Sequence, residues 1–158
     1  MIQRIQTVYM ILAIVAVVLG MCNPIGVFTI EDSLTATLYN LWVSFDNGDG
    51  TAQHVVMPWA ALFALLTLVA TLLTVNIFLF KKRALQMRIA NFSMLLLVGY
   101  FIAGGVFLYL QMNGEVPCTG FRPTVWAAMP LIALIFSYLA FRGILKDQLL
   151  INSLNRIR

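Results

Sequence analysis

Four long stretches without a charged side chain dominate this sequence. No Asp, Glu, Lys or Arg occurs in residues 5–30, 50–80, 89–114 or 123–141. A helix needs about 20 apolar residues to cross about 30 Å of hydrocarbon, so each stretch is long enough to span a membrane. The composition, 61% hydrophobic and 10% charged, also lies far from that of soluble domains. The sequence therefore predicts an all-α membrane protein.

The spans and their connections use nearly the whole chain, which predicts a single membrane domain over residues 1–158. We expect a four-transmembrane-helix bundle with a small extracytoplasmic β-hairpin lobe between the first and second helices. The spans are predicted at about 5–27, 58–80, 89–111 and 124–142, the lobe at about 28–57 and a cytoplasmic tail at 143–158.

Positive charges follow a pattern that predicts orientation. Nine of the ten Lys and Arg residues lie before the first span, between the second and third, or after the fourth, whereas five of the six acids lie in the other two connections. Short connections rich in Lys and Arg stay in the cytoplasm, so both termini are predicted to be cytoplasmic. We interpret these residues as topology anchors beside lipid headgroups rather than as ligands of nucleic acid. The anchors are Arg4, Lys81, Lys82, Arg83, Arg88, Arg142 and Lys146.

The first outer connection has the pattern of a β-hairpin. The β-prone run LYNLWVSF is followed by the turn sequence DNGDG and a second short run, TAQHVV, and VFTI is a candidate third strand. An EF-hand does not fit, because Gly48 and Gly50 occupy ligand positions counted from Asp46. His54 has no second metal-ligating residue nearby, so we expect a surface residue, with no metal and no cofactor. The second outer connection, QMNGEVPCTGFRPT, is predicted to be irregular.

The sequence has two cysteines, and both are predicted near the outer face. The segment VLGMCN resembles a lipoprotein processing site at Cys22, but Met21 is not the small residue such a site needs, so we expect the first span to be retained. A disulfide between Cys22 and Cys118 is a candidate, provided that the fold brings their Cα atoms within about 7 Å. No Cys-x-x-Cys motif supports a catalytic pair.

Apart from Arg142 at the inner end of the fourth, the predicted spans contain no charged residue, and charged residues are what membrane enzymes and ion-coupled transporters usually place there. Our leading hypothesis is a non-enzymatic accessory or scaffolding subunit of a larger envelope complex, with the lipid bilayer and a membrane protein as partners and self-association open. The alternative is a transporter or small-molecule binder at a thin or kinked region near Gly104, Gly105 and Pro130. A third hypothesis is an extracytoplasmic thiol redox protein that uses Cys22 and Cys118.

Three stretches, MIQRIQTVYM, FKKRALQMRIANFSMLL and LAFRGILKDQLLINSLNRIR, resemble a family of small four-span inner-membrane proteins from Bacteroidetes-type bacteria, classed as a domain of unknown function. The resemblance implies a bacterial inner-membrane location and no assigned activity. Gln148 and Asn155 stand where the family often has acids, which argues against salt bridges there. We expect Gln86 to contact the cytoplasmic tail. The matching positions are Gln3, Arg4, Gln6, Leu85, Gln86, Arg88, Lys146, Asp147, Arg156 and Arg158.

Overall fold

A computed structural model describes residues 2–30, 34–46, 52–55, 60–79, 82–113 and 118–155 of the chain. Within these residues, four long helices are apolar enough to cross a membrane, which confirms the helices predicted from the uncharged stretches. A short 3-10 helix, Val125–Ala128, precedes the last of them. The helices are α1 (Ile2–Cys22), α2 (Ala60–Phe78), α3 (Arg83–Met112) and α4 (Met129–Asn155).

The four helices form a ring in which neighbours run antiparallel. Helix α1 packs against α2 and α4, and α3 packs against the same two helices. Buried residues recur every three or four positions, as on α2, so each helix turns one stripe of side chains toward the interior. This arrangement is an up-and-down four-helix bundle. The buried stripe of α2 consists of Leu62, Leu66, Val69, Leu73 and Asn76.

A small antiparallel sheet accompanies the bundle. Its described strands are β1 (Gly26–Ile30), β2 (Leu34–Leu38), β3 (Val43–Asp46), β4 (Ala52–Val55) and β5 (Cys118–Pro123). The strand order is β4-β3-β2-β1-β5. The pairing of β3 with β4 confirms the hairpin predicted around DNGDG, although residues 47–50 of that turn lie outside the described residues. The candidate third strand VFTI lies within β1.

The sheet differs from the predicted lobe in two respects. The second outer connection is not irregular, because it supplies β5, which pairs with β1 and places Phe121 opposite Phe28, with their ring centroids 5.1 Å apart. The run LYNLWVSF is not one strand either. It is broken between β2 and β3 by a turn in which the Tyr39 N–H donates to the Trp42 carbonyl at 2.9 Å. Both outer connections therefore build the sheet.

One face of the sheet is apolar and packs on the helices. Phe28, Ala36, Leu38 and Val43 are buried in a cluster that also contains Leu62 and other helical residues. Because side chains alternate along a strand, the intervening positions form the opposite face, which carries polar residues. We call the covered end of the bundle the sheet end. The polar positions are Thr29, Thr35, Thr37 and Ser44.

The other end of the bundle, which we call the basic end, exposes Lys82, Arg88, Arg142 and Lys146. It contains the connection between α2 and α3 and the continuation of α4, which stays helical to Asn155. Several helix limits differ from the predicted spans: α1 ends at Cys22 rather than at 27, and α3 begins at Arg83 rather than at 89.

Pro130 does not kink the middle of a span. It lies in the first turn of α4, directly after the 3-10 helix. A proline is tolerated there because the first N–H groups of a helix have no partner within the helix. Pro130 therefore lies where a helix begins and does not kink a helix, as had been expected.

Candidate functional site

Among the side chains that the structure describes, the buried residue nearest the basic end is polar on every helix. The next buried residue toward the middle of each stripe is apolar: Met10, Leu73, Ala90 and Ile144. The four polar side chains come from four different helices, and each is at most 8% exposed. We call them the polar layer, which consists of Gln6, Asn76, Gln86 and Asp147.

Two hydrogen bonds join the helices of the polar layer in pairs. Gln6 Nε2 donates to Asp147 Oδ2 at 2.7 Å, which links α1 to α4. Gln86 Nε2 donates to the main-chain oxygen of Asn76 at 3.3 Å, which links α3 to α2. A hydrogen bond to a charged group contributes about 1.5–3 kcal/mol, roughly twice the value of a neutral one. The Gln6–Asp147 bond is therefore the stronger of the two.

Gly143 makes room for the Gln6–Asp147 contact. It lies one turn before Asp147 on α4, and a Cβ added at Gly143 would lie 2.9 Å from Gln6 Cγ. Any larger residue there would displace the Gln6 side chain. The sequence analysis did not single out Gly143, because a glycine in a helix has no local signal that identifies the neighbour it accommodates.

Asn76 has no partner for its side chain. Both side-chain polar atoms are buried: Nδ2 donates no hydrogen bond and Oδ1 accepts none. The residue is 0% exposed. Leaving such a group unsatisfied costs about 1–3 kcal/mol. Asn76 is thus the one member of the polar layer whose side chain is not used in holding two helices together.

The four helices converge immediately next to the polar layer. Met10, Ala140 and Ile144 form a buried cluster to which Ile77 and Met87 are packed. Met10 and Ile144 are about one helical turn from Gln6 and Asp147. Ile77 and Met87 are the sequence neighbours of Asn76 and Gln86. The polar layer therefore closes a shared interior and is not a set of separate surface sites.

A second polar network lies at the sheet end. Asn40, in the turn between β2 and β3, is 0% exposed. Its Nδ2 donates to the Gly20 carbonyl on α1 at 2.6 Å, and its Oδ1 accepts from the Tyr100 hydroxyl on α3 at 2.8 Å. One side chain thus fastens the sheet to two helices. Sequence reasoning missed Asn40, which lies inside an apparently continuous β-prone run.

A cavity of about 210 Å³ lies between α2, α3 and the sheet. Gly104 and Gly105 line it, and a Cβ on either would meet nothing within 4 Å. Pro130, predicted to share this region, is placed instead beside Gly20, where a Cβ would lie 3.3 Å from its ring. The other lining residues include Leu38, Leu62, Tyr100, Leu108 and Phe121.

The structure separates the predicted site residues into two groups. Gln6, Gln86 and Asp147, picked out by the family resemblance, come together in the polar layer, whereas Leu85 is 42% exposed. The anchors Lys82, Arg88, Arg142 and Lys146 are exposed at the basic end. Lys81, Arg156 and Arg158 lie outside the described residues, as do the side chains of Gln3, Arg4 and Arg83.

The two cysteines belong to different parts of the sheet end. Cys22 is a free, exposed thiol at the end of α1. Cys118 pairs with Ile30, at the far end of β1 from Gly26. At about 3.3 Å per residue, Ile30 is about 13 Å from Gly26 along the strand. This register disfavours the disulfide, which stays a prediction.

His54 lies in β4 opposite Ser44. Its side chain lies outside the described part of the structure, and its expected surface position stays a prediction.

A comparison with curated proteins finds no match for this chain. The sequence does match the family described as "Domain of unknown function (DUF4293)" over residues 2–157. The match includes all four helices, the five strands and every described member of the polar layer, and it confirms the predicted resemblance to a family of unknown function. The chain therefore belongs to the DUF4293 family.

Proposed function

We propose that the protein is a non-enzymatic integral membrane protein that serves as an accessory or scaffolding subunit of a larger envelope complex. In this proposal the four helices span the inner membrane of a bacterium, with both termini in the cytoplasm and the sheet end outside. Support comes from the apolar character of the helices and from the exposed Lys and Arg residues at the basic end, since such residues favour the cytoplasmic side.

The observation that carries the proposal is the sheet itself. Among the described residues, β4 and β5 are its edge strands, and one face is polar and turned away from the helices. An edge strand offers backbone donors and acceptors to a strand of another chain. Asn40 holds this sheet against α1 and α3. A rigidly held sheet with two edges suits a protein partner outside the membrane.

Co-purification tests the proposal. A tagged chain is purified from native membranes in mild detergent, and recovered proteins are identified by mass spectrometry. A Gly26→Ala variant perturbs the sheet edge, because the added Cβ meets the Phe121 ring and lies 2.9 Å from the Arg122 carbonyl oxygen. The matched control is Gly120→Ala in the same strand pair, where a Cβ meets nothing within 4 Å.

We expect the wild type and Gly120→Ala to recover the same partner proteins and Gly26→Ala to lose them while remaining inserted and monodisperse. Recovery of the wild type as a lone monomer or homodimer, under conditions that preserve other membrane complexes, would contradict the accessory-subunit role. Equal recovery by both glycine variants would contradict docking at the β5 edge of the sheet.

A second function, binding of a small apolar molecule, is favoured by the cavity beside Gly104 and Gly105. Its volume of about 210 Å³ is below the roughly 300–1,000 Å³ typical of ligand pockets, so it fits a small molecule or part of a hydrocarbon chain. We expect native mass spectrometry to detect a bound molecule that Gly105→Phe removes and Gly99→Phe retains, because Gly99 is equally free of contacts but does not line the cavity. Identical spectra for both variants would rule out this site.

A further inference from the structure

The hydrogen bonds of the polar layer leave several oxygen atoms available. Gln6 and Gln86 each use a side-chain N–H as donor, so the carbonyl oxygens of both side chains take no part in these two bonds. The side chain of Asn76 is buried and unpartnered. Together with Asp147, these residues give each of the four helices one oxygen-bearing side chain at the basic end of the bundle interior.

Among the side chains that the structure describes, none that is basic is paired with the Asp147 carboxylate. Asp147 is 8% exposed, and the described part of the chain gives its carboxylate a hydrogen bond from a neutral amide but no ion pair. Arg142 and Lys146, on the same helix, are exposed. Burying a carboxylate without a compensating charge is costly, so a positive charge next to it is strongly favoured.

We propose that the polar layer binds one monovalent metal cation, Na⁺ or K⁺, between the Asp147 carboxylate and the side-chain oxygens of Gln6, Asn76 and Gln86. Hard cations prefer oxygen ligands. A single carboxylate balances a single positive charge, whereas a divalent ion would leave an excess charge in the interior. Cation binding also gives the unpartnered side-chain oxygen of Asn76 a partner. Asp147 is the only member of the layer with a negative charge, which makes it the anchoring ligand.

Thermal unfolding of the purified full-length protein in detergent tests the proposal. The midpoint is measured in NaCl, KCl and choline chloride at equal ionic strength, which keeps the screening of surface charges constant. A ligand that binds only the folded state raises the midpoint, by about 5–10 °C for a chain of this size when its concentration is about 100 times the dissociation constant. We expect a rise of this order in NaCl or KCl relative to choline, growing with the logarithm of the salt concentration, and retention of radioactive sodium if Na⁺ is the ligand.

Two substitutions locate the effect. Asp147→Asn keeps an acceptor for Gln6 but removes the charge, and Asn76→Leu removes a ligand oxygen while keeping the branched shape and the number of heavy atoms of the side chain. Both are expected to lose the difference between salts. In choline, Asn76→Leu should melt higher than the wild type, because an unsatisfied buried amide is gone. The control is Ser137→Ala, whose buried and unpartnered hydroxyl lies on α4 away from the polar layer; it should keep the salt difference.

Two results would overturn the proposal. If the wild type melts at the same temperature in all three salts while Asn76→Leu melts higher, the layer holds water only. If the salt difference persists in both Asp147→Asn and Asn76→Leu, the cations act elsewhere, for example on the detergent or on surface carboxylates. The two variants are independent, so poor folding of one leaves the other as a valid test.

Discussion

At the scale of single residues, Tyr100 and Asn40 show how a few polar contacts hold the sheet on the bundle. The Tyr100 hydroxyl is the donor to Asn40 Oδ1, and Asn40 is fully buried. We expect Tyr100→Phe to leave that oxygen without a donor and to lower the free energy of unfolding by about 1–3 kcal/mol. Thermal unfolding in detergent measures the loss.

Tyr109 provides a matched control for this prediction. It lies on the same helix but is 68% exposed, so Tyr109→Phe should change the free energy of unfolding by no more than about 0.5 kcal/mol. Equal stability of the two variants would mean that the Asn40 bond does not hold the sheet.

The polar layer was predictable only in part. Gln6, Gln86 and Asp147 were identified by family resemblance and not by their position on a buried stripe. Spacing offers a second signal, since Gln6 continues on α1 the three- and four-residue steps of the buried Met10, Ala13 and Val17. Asn40 gave no such signal, because its partners Gly20 and Tyr100 are far away in sequence.

At the scale of elements, the hairpin of α2 and α3 depends on how the end of α2 is completed. The last carbonyl groups of a helix lack partners within it. The Asn76 carbonyl accepts from the Leu79 N–H at 3.3 Å and from Gln86 Nε2 at 3.3 Å. Gln86 was expected to reach the cytoplasmic tail, but the structure gives it this bond to α2. Its role is therefore to fix the angle between two consecutive helices.

Replacing Gln86 tests this role. We expect Gln86→Ala to lower the free energy of unfolding by about 1 kcal/mol, the net value of a neutral hydrogen bond. Leu85→Ala is the control at the neighbouring position, where the side chain is 42% exposed and faces away from the bundle interior. The measurement is thermal unfolding at constant detergent and salt. A larger loss for Leu85→Ala would contradict a bond that matters to the hairpin.

Helices and strands differed in how well the sequence predicted them. Uncharged stretches predicted all four helices, because the apolar length of a span is a local property of the chain. Strand β5 was not predicted, because its sequence CTGFRP contains a glycine and a proline, which are typical of loops. Its strand pairing depends on β1, almost a hundred residues earlier in the chain. Non-local pairing of this kind leaves no pattern within the strand itself.

At the scale of the whole molecule, the two ends of the bundle have opposite characters. The sheet end carries a polar face above an apolar core, and the basic end carries exposed cations around the polar layer. Between these ends, the helices expose large apolar side chains such as Leu95 and Ile102, each 65% exposed. An apolar belt between two polar ends matches the layers of a bilayer, and the direction of insertion is then set by the cations.

Thiol labelling tests that direction with a residue that the chain already has. Cys22 is exposed at the sheet end and is one of two cysteines, so Cys118→Ser leaves it as the only thiol. We expect a membrane-impermeant maleimide to label Cys22 on intact spheroplasts, because the proposed orientation places the basic end in the cytoplasm and the sheet end outside. A chain with both cysteines replaced by Ser and with Arg88→Cys carries its thiol at the basic end and should react only after permeabilisation. Mass spectrometry of the labelled protein quantifies both reactions, and the reverse pattern would show that the sheet faces the cytoplasm.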